Sequence, residues 1–211
     1  MMSEMKKRVG IMGGTFNPIH IGHLIIAEAA YEAYDLDEVL FVPSGVSYMK
    51  DQSEILDAKK RVHMTGLAIE DNPHFALSTI EIDRDGNSYS YETLETLRKQ
   101  NPDTEYFFLV GSDTLFALET WKHPEILLPS CTILVAVRNG VPMEAMQAHA
   151  DYLEKKFGGS VKLLTTPNIE ISSTDIRNRI GNDRNVKYFL PDAVLDFINK
   201  HDLYKNVEQE V

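Results

Sequence analysis

Two histidines stand three residues apart near the start of the chain, directly after a glycine pair. The segment over residues 13–23 reads Gly-Gly-Thr-Phe-Asn-Pro-Ile-His-Ile-Gly-His, and it follows a short apolar run. The glycines let the backbone turn sharply and come close to a ligand. A helix that begins near residues 18–21 would point its free N–H groups at the same space, with His20 and His23 one turn apart on one face. These features predict a cradle for a phosphate chain, in which both imidazoles bind phosphate.

Other interpretations of this segment stay open at this point. Two histidines at this spacing can bind zinc, but no cysteine lies near them to complete a site. The same residues can also form an ordinary turn between a strand and a helix, with both imidazoles exposed. The segment is neither a Walker A loop nor a Gly-x-Gly-x-x-Gly dinucleotide fingerprint. We favour the phosphate interpretation because the glycine turn and the preceding apolar run support it together.

A second candidate anion site lies near the other end of the chain, in the segment Ile-Ser-Ser-Thr-Asp-Ile-Arg over residues 171–177. Ser172 and Ser173 are good helix N-caps, and the aspartate suits a first helical turn. Most such clusters are only caps. Here Arg177 follows one turn later, so hydroxyls, N–H groups and a guanidinium would converge on phosphate oxygens.

Apolar runs that resemble strands alternate with amphipathic segments of helical length along the whole chain. Strands are predicted at residues 8–12, 38–43, 74–82, 105–111, 132–138 and 161–164. Helices are predicted at residues 21–34, 54–70, 91–100 and 144–156, with two more beginning near Ser173 and at Pro191. This alternation predicts a single α/β domain over residues 1–211, a doubly wound and mostly parallel sheet with helices at the C-terminal end.

Ligands of such sheets bind where the strands end, at the carboxyl edge. The residues that follow the predicted strands are therefore candidates for one common site. They are residues 13–23, 44–50 and 111–113, together with Arg138.

Composition narrows the class of protein. The 211 residues carry a formal net charge of -11, and this sign argues against binding to DNA or RNA. Cys131 is the single cysteine, so no internal disulfide can form, which fits a cytoplasmic protein. No apolar run approaches the roughly 20 residues that a membrane helix needs. The sequence leaves open whether the protein is a homo-oligomer.

The glycine turn with His-Ile-Gly-His, followed far along the chain by Ile-Ser-Ser-Thr-Asp-Ile-Arg, resembles the two motifs of the nucleotidylyltransferase superfamily. Four further segments resemble the bacterial nicotinate mononucleotide adenylyltransferase family, and they extend the resemblance along nearly the whole chain. They are Ser-Tyr-Ser-Tyr-Glu-Thr-Leu at 88–94, the Gly-Ser-Asp to Trp segment within 107–128, Val-Ala-Val-Arg-Asn-Gly at 135–140, and the closing residues 188–204.

The resemblance implies a Rossmann-like fold that transfers an adenylyl group from ATP to nicotinate mononucleotide, with Mg²⁺, in NAD biosynthesis. It implies that His20, His23 and Arg177 act in catalysis. It implies an ATP site made of Gly13, Gly14, Thr15, Phe16, His20, His23, Gly111, Asp113, Ile171, Ser172, Ser173 and Arg177. It implies a substrate site made of Lys50, Ser90, Thr93, Trp121, Lys122 and Arg138.

Particular roles follow from the same resemblance. Trp121 would stack on the nicotinate ring, and backbone N–H groups near Ser90 and Lys122 would hold its carboxylate. Arg138 would approach the phosphate of the mononucleotide. Asp113 would bind a ribose hydroxyl or a water around Mg²⁺, with no direct protein ligand to the metal.

The chain departs from the family pattern on the acceptor side. The run Pro-Pro-His-Lys, usual after the second strand, is replaced by Gly-Val-Ser-Tyr-Met-Lys at residues 45–50, and Asn139 stands where proline is usual. Two alternatives therefore stay open beside the family's reaction. One is transfer to another phosphorylated acceptor, such as nicotinamide mononucleotide or phosphopantetheine, and the other is a nucleotide sensor without catalysis. An α/β domain in which both motifs are only caps and turns would bind no nucleotide.

Overall fold

A computed structural model describes residues 6–46, 55–137 and 142–205. The strands are β1 (Lys7–Gly14), β2 (Glu38–Pro43), β3 (Phe75–Leu77), β4 (Thr104–Gly111), β5 (Thr132–Val137) and β6 (Ser160–Thr165). The longer helices are α1 (Ile21–Ala33), α2 (Ala58–Ile69), α3 (Ser90–Gln100), α6 (Met143–Phe157), α7 (Ser173–Gly181) and α8 (Asp192–Lys200). Two short helices, α4 (Ser112–Leu115) and α5 (Pro124–Leu127), lie between β4 and β5.

All six strands form one parallel sheet in the order β3-β2-β1-β4-β5-β6. The predicted doubly wound α/β architecture is therefore confirmed, with α7 and α8 as the C-terminal helices. The chain runs outward from β1 in one direction and returns to add β4 on its other side. Because the strand order reverses between β1 and β4, a crevice opens at their carboxyl ends, and ligands of this architecture bind there.

Both faces of the sheet are covered by helices, as a parallel sheet requires. Successive side chains of β4 point to opposite faces. Phe107 and Leu109 pack with α1, α2 and α8, whereas Phe108 and Val110 pack with α3 and α6. Two separate apolar cores thus hold the sheet between helical layers, so the loops at the strand ends stand on a rigid base.

The third strand is much shorter than predicted. The sequence predicts a strand over residues 74–82, and the part beyond Leu77 is wrong. Ser78 N donates the last sheet bond, to Phe41 O, and then Ile82 N and Asp83 N both donate to Thr79 O. The backbone N–H groups after the strand thus bond within a local turn and not to the sheet. The strand lies at the edge of the sheet and has one neighbouring strand.

The second helix begins later than predicted. The sequence predicts a helix over residues 54–70, of which residue 54 lies outside the described part. In the structure the helix begins at Ala58, because Asp57 caps it by accepting a bond from Lys59 N at 2.9 Å. The capping aspartate has a non-helical backbone, which ends the helix on its N-terminal side. No helix within the described residues is long and apolar enough to cross a membrane.

Candidate active site

A cavity of about 390 Å³ opens at the carboxyl ends of β1 and β4, where the strand order reverses. This volume falls in the range of small-molecule sites. Residues named by the sequence analysis on its wall are Gly13, Gly14, Thr15, His23, Ser90, Gly111, Asp113 and Trp121. Ser44, from the candidate segment over residues 44–50, also lines it, whereas Glu81 and Ser88 line it and were not predicted. One cavity therefore joins both the ATP side and the acceptor side of the predicted site.

The two histidines have different positions. His20 is only 3% exposed and precedes α1 as its N-cap, whereas His23 lines the cavity. Their rings are stacked with centroids 3.7 Å apart, and His20 N donates to His23 Nδ1 at 3.2 Å. Since Nδ1 of His23 accepts a backbone N–H, the neutral ring carries its proton on Nε2. In this tautomer the Nε2–H group of His23 can donate to an anion. The His20 ring stacks on the His23 ring and holds it in position.

Steric crowding favours glycine at position 22, between the two histidines. A Cβ added to Gly22 would lie 3.1 Å from His20 Nδ1, a contact tighter than ordinary packing. The ring of Phe16, which is 2% exposed, meets the His23 ring edge-on at 5.1 Å. Phe16 and His20 thus pack around His23 and fix its orientation, and neither lines the cavity.

The second motif meets the first across about 155 residues of sequence. Ser172 caps α7 by accepting from Asp175 N at 3.1 Å, as predicted for a helix start. The Ser173 hydroxyl donates to Pro18 O at 2.8 Å, and Arg177 Nη1 donates to Asn17 O at 3.0 Å. Ile171, Ser172, Ser173 and Arg177 lie beside the loop after β1 and do not line the cavity. The structure therefore brings the two motifs together through the loop backbone.

Sequence reasoning missed Arg61, which is 2% exposed on α2. Its guanidinium donates to Thr15 O at 2.7 Å, to Ser44 O at 2.8 Å and to Leu56 O at 3.0 Å. Burial lowers the pKa of Arg61, although an arginine stays charged at any ordinary pH. One fixed cation thus ties the loop after β1 to the loop after β2. No sequence signal marks it, because an arginine in an amphipathic helix is ordinarily a surface residue.

The predicted acceptor side of the cavity includes a buried carboxyl group. Glu81 is 8% exposed, and Thr93 Oγ1 donates to its Oε1 at 2.7 Å. Burial is the main cause that raises the pKa of Glu81. Ser88 Oγ accepts from Gly45 N at 3.0 Å, so the segment after β2 is fixed to the segment before α3.

The predicted acceptor residues divide into those at the wall and those elsewhere. Ser90 and Trp121 line the cavity, and the indole meets the Phe108 ring edge-on at 6.2 Å. Thr93 is 1% exposed and does not line the cavity, so it contacts Glu81 rather than open space. Lys122 is exposed outside the cavity wall. Lys50 and Arg138 lie outside the described residues.

Asp113 lines the cavity at the start of α4. Among residues 6–46, 55–137 and 142–205, no group of three or more His, Cys, Asp or Glu side chains is arranged to hold a metal ion. Asp113 and Glu81 are the two acidic side chains that the described residues place on the wall. A carboxylate such as Asp113 suits a hydrated Mg²⁺ that is held mainly by substrate phosphates.

The cytidylyltransferase-like family profile matches residues 11–179, which span both motifs. A protein of Lachnoclostridium phytofermentans named "Probable nicotinate-nucleotide adenylyltransferase" is 45% identical over 94% of this chain and 99% of its own length. One of the same name from a Thermoanaerobacter species is 42% identical over 98% of each chain. Among solved structures, Plasmodium falciparum nicotinic acid mononucleotide adenylyltransferase is similar in its complexes with APC and with NaAD. The TM-scores are 0.76 and 0.78, with 20% identity and coverage of 94% of this chain and 97% of the other. This similarity shows the fold, while the sequence relatives and the family profile show the family: the chain belongs to the cytidylyltransferase-like transferases and, among them, to the nicotinate-nucleotide adenylyltransferases.

Proposed function

We propose that this protein transfers the adenylyl group of ATP to nicotinate mononucleotide, giving nicotinate adenine dinucleotide and pyrophosphate, as a step of NAD biosynthesis in the cytoplasm. The observation that carries the proposal is that the second motif is hydrogen-bonded to the loop that connects the cavity wall at Thr15 to His23. His23 lines that cavity, and Arg177 is anchored on Asn17 O in the same loop. The family of the sequence relatives supports the choice of acceptor.

The reaction needs no general base, because the nucleophile is already a phosphate anion. A phosphate oxygen of the acceptor forms a bond to the α-phosphorus, and the bond from that phosphorus to the bridging oxygen breaks. Pyrophosphate leaves with the electron pair of that bond. Catalysis is then alignment of the reactants plus stabilisation of negative charge on the leaving group.

Each ATP-side residue has a role in this proposal. The backbone at Gly13, Gly14 and Thr15 gives the phosphate chain a close approach to the protein. His23 donates from Nε2 to a phosphate oxygen, and His20 keeps that ring in place. Arg177, with Ser172 and Ser173 at the start of α7, stabilises the β- and γ-phosphates. A guanidinium has five N–H donors, so the bond to Asn17 O leaves others for phosphate.

Mg²⁺ is the proposed cofactor, and it supplies positive charge against the phosphate oxygens. Asp113 is the carboxylate that would hold a water of its shell or a ribose hydroxyl. In this proposal Asp113 would contact the ion only through water, and no side chain would ligate it directly.

On the acceptor side, Trp121 and Ser90 would hold the nicotinate ring and its carboxylate. Lys50, Lys122 and Arg138 are proposed to approach the acceptor phosphate and carboxylate. Thr93 stays in the proposal as a support of the wall, through its bond to Glu81. A nicotinamide acceptor is the second candidate, because the segment over residues 45–50 departs from the family pattern.

The test is pyrophosphate release by the purified protein with ATP and Mg²⁺. Nicotinate mononucleotide, nicotinamide mononucleotide and phosphopantetheine are compared as acceptors at equal concentration. We expect release with the nicotinate acceptor at a kcat/KM well above the other two. A preference for another acceptor would keep the ATP site and overturn the substrate assignment. ATP binding without release from any acceptor would overturn the proposed catalysis in favour of a nucleotide sensor.

A further inference from the structure

The hydroxyl group of Tyr204 reaches the loop that follows β1, although 187 residues separate the two in sequence. Tyr204 lies beyond α8, and its Oη donates to Asn17 Oδ1 at 2.9 Å. Asn17 is 4% exposed, so this contact is shielded from water. Burial raises the pKa of the Tyr204 phenol, and the group therefore stays a protonated donor at ordinary pH.

Asn17 connects several segments of the chain. Its side-chain oxygen also accepts from Leu56 N at 3.3 Å, just before α2. Its backbone oxygen accepts from Arg177 Nη1 at 3.0 Å. Through this one residue, the C-terminal segment, the approach to α2 and the start of α7 all contact the phosphate loop.

The loop depends on such contacts because residues 15–20 belong to no helix or strand. No ladder of backbone bonds fixes their conformation, so tertiary hydrogen bonds must do it. His20 and His23 follow Asn17 three and six residues later, and Arg177 is bonded to the backbone oxygen of Asn17. Loss of the bonds to Asn17 Oδ1 would therefore loosen the loop backbone, which leads to His23 and accepts the bond from Arg177.

We infer that Tyr204 is a positioning residue of the ATP site, which acts by holding the Asn17 side chain and with it the loop after β1. Tyr204 does not line the cavity and is not a catalytic residue. The inference goes beyond both motifs, since it assigns a functional role to the last described turn of the chain. It rests on the proposed function only for the choice of ATP as ligand.

The test is the conservative variant Tyr204→Phe, which removes one oxygen and keeps the ring. We expect the Kd and the KM for ATP to rise about fivefold, since a typical hydrogen bond contributes about 1 kcal/mol. The KM for nicotinate mononucleotide should change less than twofold. An unchanged affinity for ATP, or an equal rise for both substrates, would overturn the inference.

A matched control separates positioning from general stability. Tyr106 also has a buried hydroxyl, which donates to Leu97 O at 3.0 Å between β4 and α3, away from the loop. Tyr106→Phe should lower the melting temperature to a similar extent and leave ATP affinity unchanged. If both variants weakened ATP binding equally, Tyr204 would have only a structural role.

A double-mutant cycle tests the route through Asn17. Asn17→Ala alone should weaken ATP binding, and adding Tyr204→Phe should then have little further effect. Additive effects would show that Tyr204 does not act through Asn17. Calorimetric ATP binding needs no turnover, so this result stands apart from the pyrophosphate assay. A protein that binds ATP but transfers nothing would refute the proposed function alone.

Discussion

The two ends of the cavity are held in place by different means. At the phosphate end, the loop after β1 accepts hydrogen bonds from four distant side chains, those of Arg61, Ser173, Arg177 and Tyr204. At the acceptor end, the described contacts are fewer and more local. Glu81, Ser88 and Thr93 form a small network, and the segment after Gly45 continues outside the described residues.

This difference bears on the proposed reaction, in which phosphate transfer demands fixed donors. The loop after β1, which would carry these donors, is bonded to α2, α7 and the C-terminal segment. The departures from the family pattern, at residues 45–50 and at Asn139, fall in segments that the family resemblance assigns to the acceptor. We therefore expect substitutions at the phosphate end to lower turnover or to raise the KM for ATP, and substitutions at the acceptor end to raise the KM for the nucleotide acceptor.

The largest effect is expected for His23→Ala. The variant loses a preorganised N–H donor to the phosphates, which typically costs roughly 10²–10³ in kcat. His23→Gln should recover part of the rate, since its amide also has an N–H donor. His74→Ala is the control, because His74 stacks on Tyr31 at 4.2 Å and does not line the cavity. Steady-state pyrophosphate release measures all three. Near-native turnover of His23→Ala would contradict the role assigned to the imidazole.

Trp121→Ala should give the next largest effect, at the other end of the cavity. Loss of a stacking face and its apolar area should raise the KM for nicotinate mononucleotide about 30-fold. The KM for ATP should change little. The KM of Trp121→Phe for nicotinate mononucleotide should lie between those of the native protein and Trp121→Ala. The indole lines the cavity while its edge packs on Phe108, so truncation leaves the strand itself intact. Equal changes for both substrates would show that Trp121 only supports the fold.

Gly45→Ala tests the close approach of two segments at the acceptor end. A Cβ at Gly45 would overlap the backbone oxygen of Glu81 and lie 2.9 Å from Ser88 Oγ. Overpacking of this kind costs roughly 1–3 kcal/mol, so the acceptor KM should rise about tenfold. Gly159→Ala is the control, because its Cβ would overlap Leu128 O far from the cavity. It should lose stability and keep both KM values, whereas a rise of the acceptor KM in both variants would contradict the local explanation.

Local sequence patterns predicted much of this architecture. The alternation of strands and helices predicted the parallel sheet, the glycine pair predicted a turn between the first strand and the first helix, and Ser172 was predicted as a helix cap. The shortened edge strand β3 was not predicted, because apolar residues continue past Leu77 while the chain leaves the sheet. A strand at the sheet edge ends where its hydrogen bonds to the neighbouring strand end. The pattern of apolar residues alone does not predict that position.

The long-range bonds of the site were also beyond sequence reasoning. Arg61 has the spacing of a helix surface residue, yet tertiary packing buries it against three carbonyl groups. Thr93 was predicted from family resemblance as a substrate residue, and in the structure its hydroxyl is bonded to Glu81. The partners of Arg61 are backbone oxygens in loops, and the partner of Thr93 is a buried carboxyl group. Only the three-dimensional structure shows these partners.

The smallest predicted effect concerns the buried carboxyl group at the acceptor end. Burial raises the pKa of Glu81 despite bonds from Thr93 and Ser88 and the nearby charge of Arg84, while Glu92 raises it further. The folded protein therefore binds a proton at Glu81 more tightly than the unfolded chain. Stability is then lost as pH rises from the unfolded pKa through the folded pKa, the reverse of the usual carboxylate.

Glu81→Gln removes that titration and keeps an oxygen for Thr93. At pH values above the folded pKa of Glu81, the variant should have a melting temperature about 2 °C higher than that of the native protein. In acid this difference should vanish. Glu119→Gln gives the opposite sign, because bonds from Lys156 and Tyr152 lower the pKa of that exposed carboxyl. Thermal unfolding followed between pH 4 and 9 separates the two variants. A pH-independent difference for Glu81→Gln would mean that the carboxyl is equally ionised in the folded and unfolded chains, and the acceptor end would then hold a fixed negative charge beside an anionic substrate.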